Sequence, residues 1–210
     1  MPLRILIADD HAIVRQGLRA LLERAGFDVA GEAVDGQEAV RLAGELKPDI
    51  ALLDVSMPLL NGLDAGREIQ RAHQDTHVVL LTMHAEDHLM AAALRSGIRA
   101  YVLKSQAAED LVLAIRAVVR HQIYLSPGLS KFVVDAYIKG ESAPVDPLAP
   151  RERQVLQLVA EGKRSKEIAV MLGLSTKTAE SYRARVMDKL DIHDTAGLVR
   201  YAIRQGIVQA

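Results

Sequence analysis

Hydrophobic residues follow two alternating patterns over about the first 120 positions of the chain. Short apolar runs, typical of strands that are buried on both faces, alternate with segments whose apolar residues recur every three or four positions, which is typical of helices. The runs cover residues 5–8, 27–30, 50–53, 78–81 and 100–103. The helical spacing covers residues 14–22, 39–46, 63–71, 88–96 and 107–120. This alternation predicts an α/β fold, with a five-stranded, parallel, doubly wound sheet between two layers of helices.

The pattern changes to helical spacing alone after residue 147. Four helices are predicted, over residues 150–161, 166–172, 176–190 and 195–205. The tight turn Gly173-Leu174-Ser175 joins the second helix to the third, an arrangement typical of a helix-turn-helix. We therefore predict an α/β domain over residues 1–122, a linker with a short helix over 123–147, and a separate all-α four-helix domain over 148–210.

The charge distribution and the composition of the chain indicate one kind of partner and exclude several kinds of site. Residues 1–147 hold 15 Lys and Arg against 20 Asp and Glu, whereas residues 148–210 hold 11 against 7, so the helical domain is the basic one and favours nucleic acid as a partner. The absence of cysteine excludes disulfides and thiolate metal sites. The sequence shows neither a secretory signal nor an apolar run of about 18 residues, so we expect a cytoplasmic protein without membrane contact.

Polar residues follow four of the predicted strands at the point where each apolar run ends. They are Asp9, Asp10, Asp54, Thr82 and Lys104. Because parallel strands present their carboxyl ends at one edge of the sheet, we expect these side chains to lie close together. Carboxylates are preferred ligands of Mg²⁺, and a carboxylate can also accept a phosphoryl group as a nucleophile. An ammonium and a hydroxyl would then stabilise the transferred charge.

Each of these residues also has an ordinary structural explanation. Asp9 and Asp10 can turn the chain and cap a helix, and Asp54 can simply end a strand. Threonine is common in strands, and a single lysine such as Lys104 is more often solvated. The shared placement of all five residues, rather than any one of them, favours a phosphoryl-accepting site.

Residues 3–121 resemble the receiver domains of two-component response regulators, which have a flavodoxin-like fold. The resemblance rests on Asp9-Asp10, on Asp54-Val55-Ser56-Met57-Pro58 with Asn61-Gly62, on Leu81-Thr82-Met83-His84, and on Tyr101-Val102-Leu103-Lys104. It implies that Asp54 accepts phosphate from a sensor histidine kinase and that Thr82 and Lys104 contact that phosphate. It implies Mg²⁺ as a cofactor, with the ligands Asp9, Asp10, Asp54 and the backbone carbonyl of Ser56. Tyr101 would be a switch residue, the alternative being an ordinary strand tyrosine.

The helical part resembles the LuxR-type helix-turn-helix. The resemblance rests on residues 148–156, on Glu161-Gly162, on residues 166–169 and on residues 174–180. Together with a receiver, this module is typical of the NarL/FixJ class of response regulators, which implies promoter DNA as a partner and a homodimer in the phosphorylated state. Ala149 stands where the family usually has threonine, and a missing hydroxyl N-cap costs about 1 kcal/mol.

The third helix of this domain is predicted to have an inward and an outward face. Ala179, Tyr182, Val186 and Leu190 share one stripe, which is expected to pack inward. Small and polar residues between basic ones on the other side suit the major groove of DNA, although an ordinary solvated helix would show the same pattern. The candidate DNA-binding residues are Lys177, Thr178, Glu180, Ser181, Arg183, Ala184 and Arg185. In the last helix, the apolar residues 198, 199, 202 and 203 form either a dimer face or part of the core.

Three other functions fit parts of the sequence. A Mg²⁺-dependent aspartyl phosphatase would carry a second aspartate two residues after its nucleophile, where this chain has Ser56. A ligand-sensing regulator of the quorum type would be richer in aromatic residues than the 3% found here and would lack the acidic cluster. A regulator that works without phosphorylation is the third alternative, because a complete set of pocket residues does not prove that the pocket is phosphorylated. We therefore expect a transcription factor rather than a turnover enzyme.

Overall fold

The computed structural model describes residues 2–83, 87–127 and 147–208. The chain forms two compact units, of which the first holds the described residues up to 127 and the second those from 147 onward. The short helix predicted within the linker lies outside the described residues.

The first unit is built on a parallel sheet of six strands in the order β2-β1-β3-β4-β5-β6. The strands are β1 (Arg4–Ala8), β2 (Asp28–Ala33), β3 (Ile50–Asp54), β4 (His77–Thr82), β5 (Ala100–Leu103) and β6 (Tyr124–Leu125). The chain runs outward from β1 to β2 and then returns to the other side of β1, so the strand order reverses between β1 and β3. Open α/β sheets bind ligands outside the carboxyl ends of the strands at such a reversal.

Five helices cover the two faces of this sheet. They are α1 (Ala12–Arg24), α2 (Gly36–Leu46), α3 (Gly62–Ala72), α4 (Asp87–Arg95) and α5 (Ala107–Val119). Helices α1 and α5 pack on the face that receives Ile5 and Ile7 of β1, and the other three helices pack on the face that receives Leu6 and Ala8. Alternate residues of one strand thus enter opposite cores, as strand geometry requires. The predicted doubly wound architecture is confirmed.

The strand count differs from the prediction by one. Strand β6 lies in the segment that the sequence assigned to the linker, and two residues are too few for hydrophobic periodicity to reveal a strand. Buried Ser126 follows it, and its hydroxyl accepts a hydrogen bond from the backbone N–H of Leu103 at 3.1 Å and donates one to Asp110 of α5. This polar link holds the chain after β6 against β5 and α5.

The second unit consists of four helices, as predicted. They are α6 (Pro150–Ala160), α7 (Ser165–Met171), α8 (Thr176–Leu190) and α9 (Thr195–Arg204). Gly173, with a φ of +62°, lets the chain turn between α7 and α8, and the side chain of Ser175 caps α8 by accepting the backbone N–H of Thr178. Leu198 and Ala202 of α9 are buried, so half of the apolar residues considered for a dimer face belong to the core.

None of the helices in the described part of the chain combines the length and the apolar character that a membrane-crossing segment needs.

Candidate functional site

The predicted pocket residues lie at one edge of the sheet. Asp9 directly follows β1, Asp54 ends β3, Thr82 ends β4 and Lys104 follows β5. These four strands are neighbours in the sheet, so their carboxyl ends are adjacent. Asp9, Asp54 and Thr82 are buried, whereas Asp10 is exposed at the surface. The clustering expected from the strand ends is therefore observed.

A single ammonium group joins the two buried carboxylates of this pocket. The Nζ atom of Lys104 lies 2.7 Å from Oδ2 of Asp9 and 2.8 Å from Oδ2 of Asp54. Burial by itself lowers the pKa of Lys104, but hydrogen bonds to Asp54 and Asp9 outweigh it, and the pKa lies above its ordinary value. Lys104 is therefore charged at neutral pH.

Asp54 experiences an excess of negative charge. Burial raises the pKa of Asp54 above its ordinary value and the charge of Asp9 raises it further, while Lys104 and the backbone N–H of Ser56 lower it. Two buried carboxylates thus share one cation, which leaves them under-compensated. A further cation at this edge would stabilise the ionised form of Asp54.

The donor atoms of the pocket fit a divalent metal ion. Carboxylate oxygens of Asp9, Asp10 and Asp54 and a ring nitrogen of His11 all lie within 4.8 Å of one another. Oxygen donors are the ligands that Mg²⁺ prefers, and an added cation would offset the excess negative charge of the carboxylates. His11, whose Nδ1 lies 2.8 Å from Oδ1 of Asp10, was not among the residues predicted from the sequence. Its position directly after the acid pair is the signal that could have indicated it.

The loop between β3 and α3 is held close to Asp54. A Cβ atom on Gly62 would lie 2.0 Å from the carbonyl oxygen of Asp54, so only glycine fits there. The side chain of Asn61 caps α3 by accepting the backbone N–H of Asp64 at 2.9 Å. Asn61 and Gly62 therefore fix the end of the loop that contains Ser56, the predicted source of a carbonyl ligand.

Tyr101 in β5 is only 2% exposed and belongs to the core cluster that includes Met90 and Ala93 of α4. The side chain thus occupies an inward position. This arrangement agrees with an ordinary buried strand tyrosine, and the switch role stays a prediction.

The faces of α8 are divided as the sequence predicted. Ala179 and Val186 are buried and Tyr182 and Leu190 are half-buried, so this stripe packs inward. The exposed candidates for DNA binding are Lys177, Glu180, Ser181, Ala184 and Arg185.

The remaining candidates on α8 are partly engaged within the unit. The Nη2 atom of Arg183 donates a hydrogen bond to Oγ1 of Thr195 at 2.6 Å, at the start of α9. The hydroxyls of Thr178 and Ser175 lie 2.8 Å apart. The guanidinium of Arg185 lies 4.9 Å from the ring centroid of Tyr182, a distance suited to a cation–π interaction. These contacts orient the basic groups that flank the exposed face.

Comparisons with known proteins agree with both units. Residues 5–116 match the family described as the response regulator receiver domain, and residues 146–202 match the luxR family of bacterial regulatory proteins. Response regulator UvrY of Escherichia coli (strain K12) is 36% identical over 211 residues, which cover 99% of this chain and 97% of UvrY.

Two solved structures of RcsB are also similar. RcsB from Salmonella enterica serovar Typhimurium, bound to promoter rprA in the presence of the phosphomimetic BeF3−, is 29% identical with a TM-score of 0.59, covering 95% of this chain and 97% of that one. A structure of two RcsB dimers bound to two parallel DNAs is 29% identical with a TM-score of 0.60, covering 96% of this chain and 98% of that one.

Proposed function

Because this chain belongs to the two-component response regulators that join a receiver domain to a LuxR-type helix-turn-helix, the NarL/FixJ class, we propose that phosphorylation of Asp54 by a sensor histidine kinase controls its dimerisation and its sequence-specific binding to promoter DNA. The observation that carries the proposal is the buried arrangement of Asp9, Asp54 and Lys104, in which one ammonium contacts both carboxylates.

The phosphoryl transfer follows from the chemistry of this pocket. An oxygen of the Asp54 carboxylate attacks the phosphorus of a phosphohistidine, a phosphorus–oxygen bond forms, and the phosphorus–nitrogen bond breaks so that the imidazole leaves with a proton. Lys104 is already within 2.8 Å of Asp54 and would pair with the new phosphate. The hydroxyl of Thr82, at the end of the neighbouring strand β4, would donate a hydrogen bond to it.

The carboxylates of Asp9, Asp10 and Asp54 and the carbonyl of Ser56 would hold Mg²⁺. When bound, this ion supplies positive charge that offsets the charge developing on the transferred phosphoryl group. The residues themselves contribute the rest. Asp9 orients Lys104 through its 2.7 Å contact, and the Asn61-Gly62 turn holds the loop of Ser56 close to Asp54.

The response to phosphorylation would pass through β4 and β5. Thr82 and Lys104 end or follow these strands, and Tyr101 lies in β5 within the core below α4. A movement of Thr82 toward the phosphate would change the space available to Tyr101 and shift the equilibrium between two states of the α4–β5 surface. That surface is where we propose that the signal leaves the receiver.

The reader of the DNA sequence would be α8. The exposed side chains of Lys177 and Arg185, with Arg183 at the flank, would contact phosphates and fix the register on the duplex. Glu180 and Ser181 would face base edges in the major groove, and the small side chains of Ala184 and Thr178 would allow close approach. A dimer would then read two half-sites related by two-fold symmetry.

The test compares promoter DNA binding by the full chain with and without beryllofluoride and Mg²⁺. We expect tighter binding and a larger dimer fraction with beryllofluoride in the unaltered protein, and no response in Asp54→Ala. Asp28→Asn, which changes an exposed acid at the start of β2, serves as the control and should respond normally. Equal responses in the unaltered protein and in Asp54→Ala would discard the proposal.

A phosphodonor gives an independent measurement. Incubation with acetyl phosphate and Mg²⁺ should place a phosphate on the peptide that contains residue 54, and base should release it as expected for an acyl phosphate. Absence of this modification would leave a DNA-binding regulator that is controlled in another way. Steady turnover of a small phosphoester would instead favour an aspartyl phosphatase.

A further inference from the structure

A polar cavity lies at the edge of the sheet opposite Asp54. It has a volume of about 260 Å³ and opens where β4 begins and where the chain enters β5. Its polar lining consists of Thr76, whose hydroxyl donates to the carbonyl oxygen of Pro48, and of Gln70, Gln74, His77, Ser96, Arg99 and His121. The volume lies just below the range of about 300–1,000 Å³ that is typical of pockets for drug-sized ligands, so the cavity suits a small metabolite.

The cavity has a positive character. His77, Arg99 and His121 can carry positive charge, and no described residue of the lining is a carboxylate. The Nη1 atom of Arg99 donates to the carbonyl oxygen of His121, and among the described residues no carboxylate pairs with this guanidinium. The fork of donors on an arginine matches carboxylate and phosphate groups. Besides the donor that binds the carbonyl oxygen of His121, Arg99 therefore has further donors for an oxyanion.

The two histidines are the pH-dependent part of this charge. Their rings meet edge to face, with centroids 5.3 Å apart. Burial lowers the pKa of His77, and the positive charges of His121 and Arg99 lower it further. Asp49 and Asp75 act in the opposite direction, but neither lines the cavity, and the carboxylate of Asp49 accepts the backbone N–H of Arg4 at 2.7 Å. An anion in the cavity would favour the protonated, charged form of His77.

A buried acceptor lies beside these cations. The amide nitrogen of Gln70 donates to the carbonyl oxygen of Gly97 at 3.2 Å, while its oxygen Oε1 is buried without a hydrogen-bond partner. Buried polar atoms are normally hydrogen-bonded, so a donor near Oε1 of Gln70 would stabilise the cavity. A hydroxyl group on the ligand would supply it.

We propose that this cavity binds a small hydroxylated polyanion, a hydroxycarboxylate or a phosphate ester, with its acidic groups on Arg99, His77 and His121 and its hydroxyl near Gln70. Arg99 directly precedes β5, which runs to Lys104 at the opposite edge. A ligand held by Arg99 would therefore lie next to the start of the strand that leads into the phosphorylation pocket.

The test titrates the full chain with citrate and with glycerol 3-phosphate at constant ionic strength, by calorimetry and by the imidazole resonances of His77 and His121. We expect saturable binding of at least one compound and shifts of both resonances. Arg99→Gln should weaken the binding by about tenfold, as expected for the loss of a charge-assisted hydrogen bond. Arg24→Gln removes the same charge from an exposed position at the end of α1 and should leave the affinity unchanged.

Matched ligands and a second variant complete the design. Tricarballylate, which is citrate without its hydroxyl, should bind more weakly than citrate if that hydroxyl donates a hydrogen bond to Oε1 of Gln70. Saturation by citrate alone would assign a hydroxycarboxylate, and saturation by glycerol 3-phosphate alone would assign a phosphate ester. If Arg99→Gln does not fold, His121→Gln takes its place. Shifts that grow without saturation, or equal weakening in Arg24→Gln, would overturn the proposal.

Discussion

The side chain of Asp54 is placed where its charge opposes folding. A carboxyl group whose pKa rises on folding stabilises the folded state at low pH, and this contribution is lost as the pH rises through that pKa. We therefore expect Asp54→Asn, measured at neutral pH without divalent cations, to be more stable than the unaltered protein. The asparagine keeps the shape of the side chain and an oxygen that accepts a hydrogen bond from Lys104, whose ion pair with Asp9 remains.

The measurement is amide hydrogen exchange of β1 and β3 in the full chain. Exchange should slow in Asp54→Asn at neutral pH, and the gain should shrink at about pH 4 and in the presence of Mg²⁺. Asp28→Asn, at an exposed position, should show no change. Faster exchange in Asp54→Asn would contradict the view that the charge of Asp54 destabilises the folded state.

At this same scale, the sequence predicts where polar residues gather but not how they pair. Asp9, Asp54 and Lys104 could be placed at one edge because each follows an apolar run and parallel strands end together. The contact of Lys104 with both carboxylates could not be predicted, since a long flexible side chain reaches solvent as easily as a neighbour. The link between Ser126 and Asp110 could not be predicted either, because a serine directly before a proline indicates the start of a helix.

At the scale of the helix, the N-terminus of α6 keeps one half of a capping box, the half that Glu152 supplies, although Ala149 lacks a hydroxyl. The carboxylate of Glu152 accepts the backbone N–H of Ala149 at 2.8 Å and also binds Nζ of Lys189 in α8 at 2.6 Å. Burial by itself raises the pKa of Glu152, but the hydrogen bonds from Lys189 and Ala149 outweigh it, and the pKa lies below its ordinary value. The resulting stability is present above the ordinary pKa and is lost as the pH falls through the folded one.

We expect Glu152→Gln to speed amide exchange in α6 and α8 of the full chain by about tenfold at neutral pH, which corresponds to about 1.4 kcal/mol. The difference from the unaltered protein should disappear at acidic pH. Asp188→Asn, an exposed acid on α8, is the matched control and should exchange normally. An unchanged exchange rate in Glu152→Gln would mean that the contact with Lys189 contributes nothing to the helical unit.

Whole elements were the features most open to prediction. The four helices of the second unit begin and end within about one residue of their predicted bounds, because the hydrophobic period and the turn residues Gly162 and Gly173 agree there. Strand β6 could not be predicted, since two residues carry no period and are held by the neighbouring β5 and by Ser126. The strand forms because of contacts with residues distant in sequence, rather than because its own residues prefer the extended conformation.

Across the whole molecule, chemistry and recognition are assigned to different units. The acidic unit contains the pocket of Asp54, and the basic unit contains the exposed face of α8. Each function should therefore be removable without loss of the other. Lys177→Gln should weaken binding to every DNA sequence and reduce the salt dependence of binding by about one counterion, while Glu180→Ala should change the preferred bases.

Both variants should accept phosphate at residue 54 from acetyl phosphate as fast as the unaltered protein, because both residues belong to the other unit. Arg204→Gln, which removes the same charge as Lys177→Gln from an exposed position at the end of α9, should leave the DNA affinity nearly unchanged. Binding isotherms at several salt concentrations and the rate of residue 54 labelling measure the two functions separately. Slower labelling of residue 54 in Lys177→Gln would contradict the separation of the two functions. Equal weakening of DNA binding in Arg204→Gln would mean that the net charge of the unit, rather than the face of α8, determines recognition.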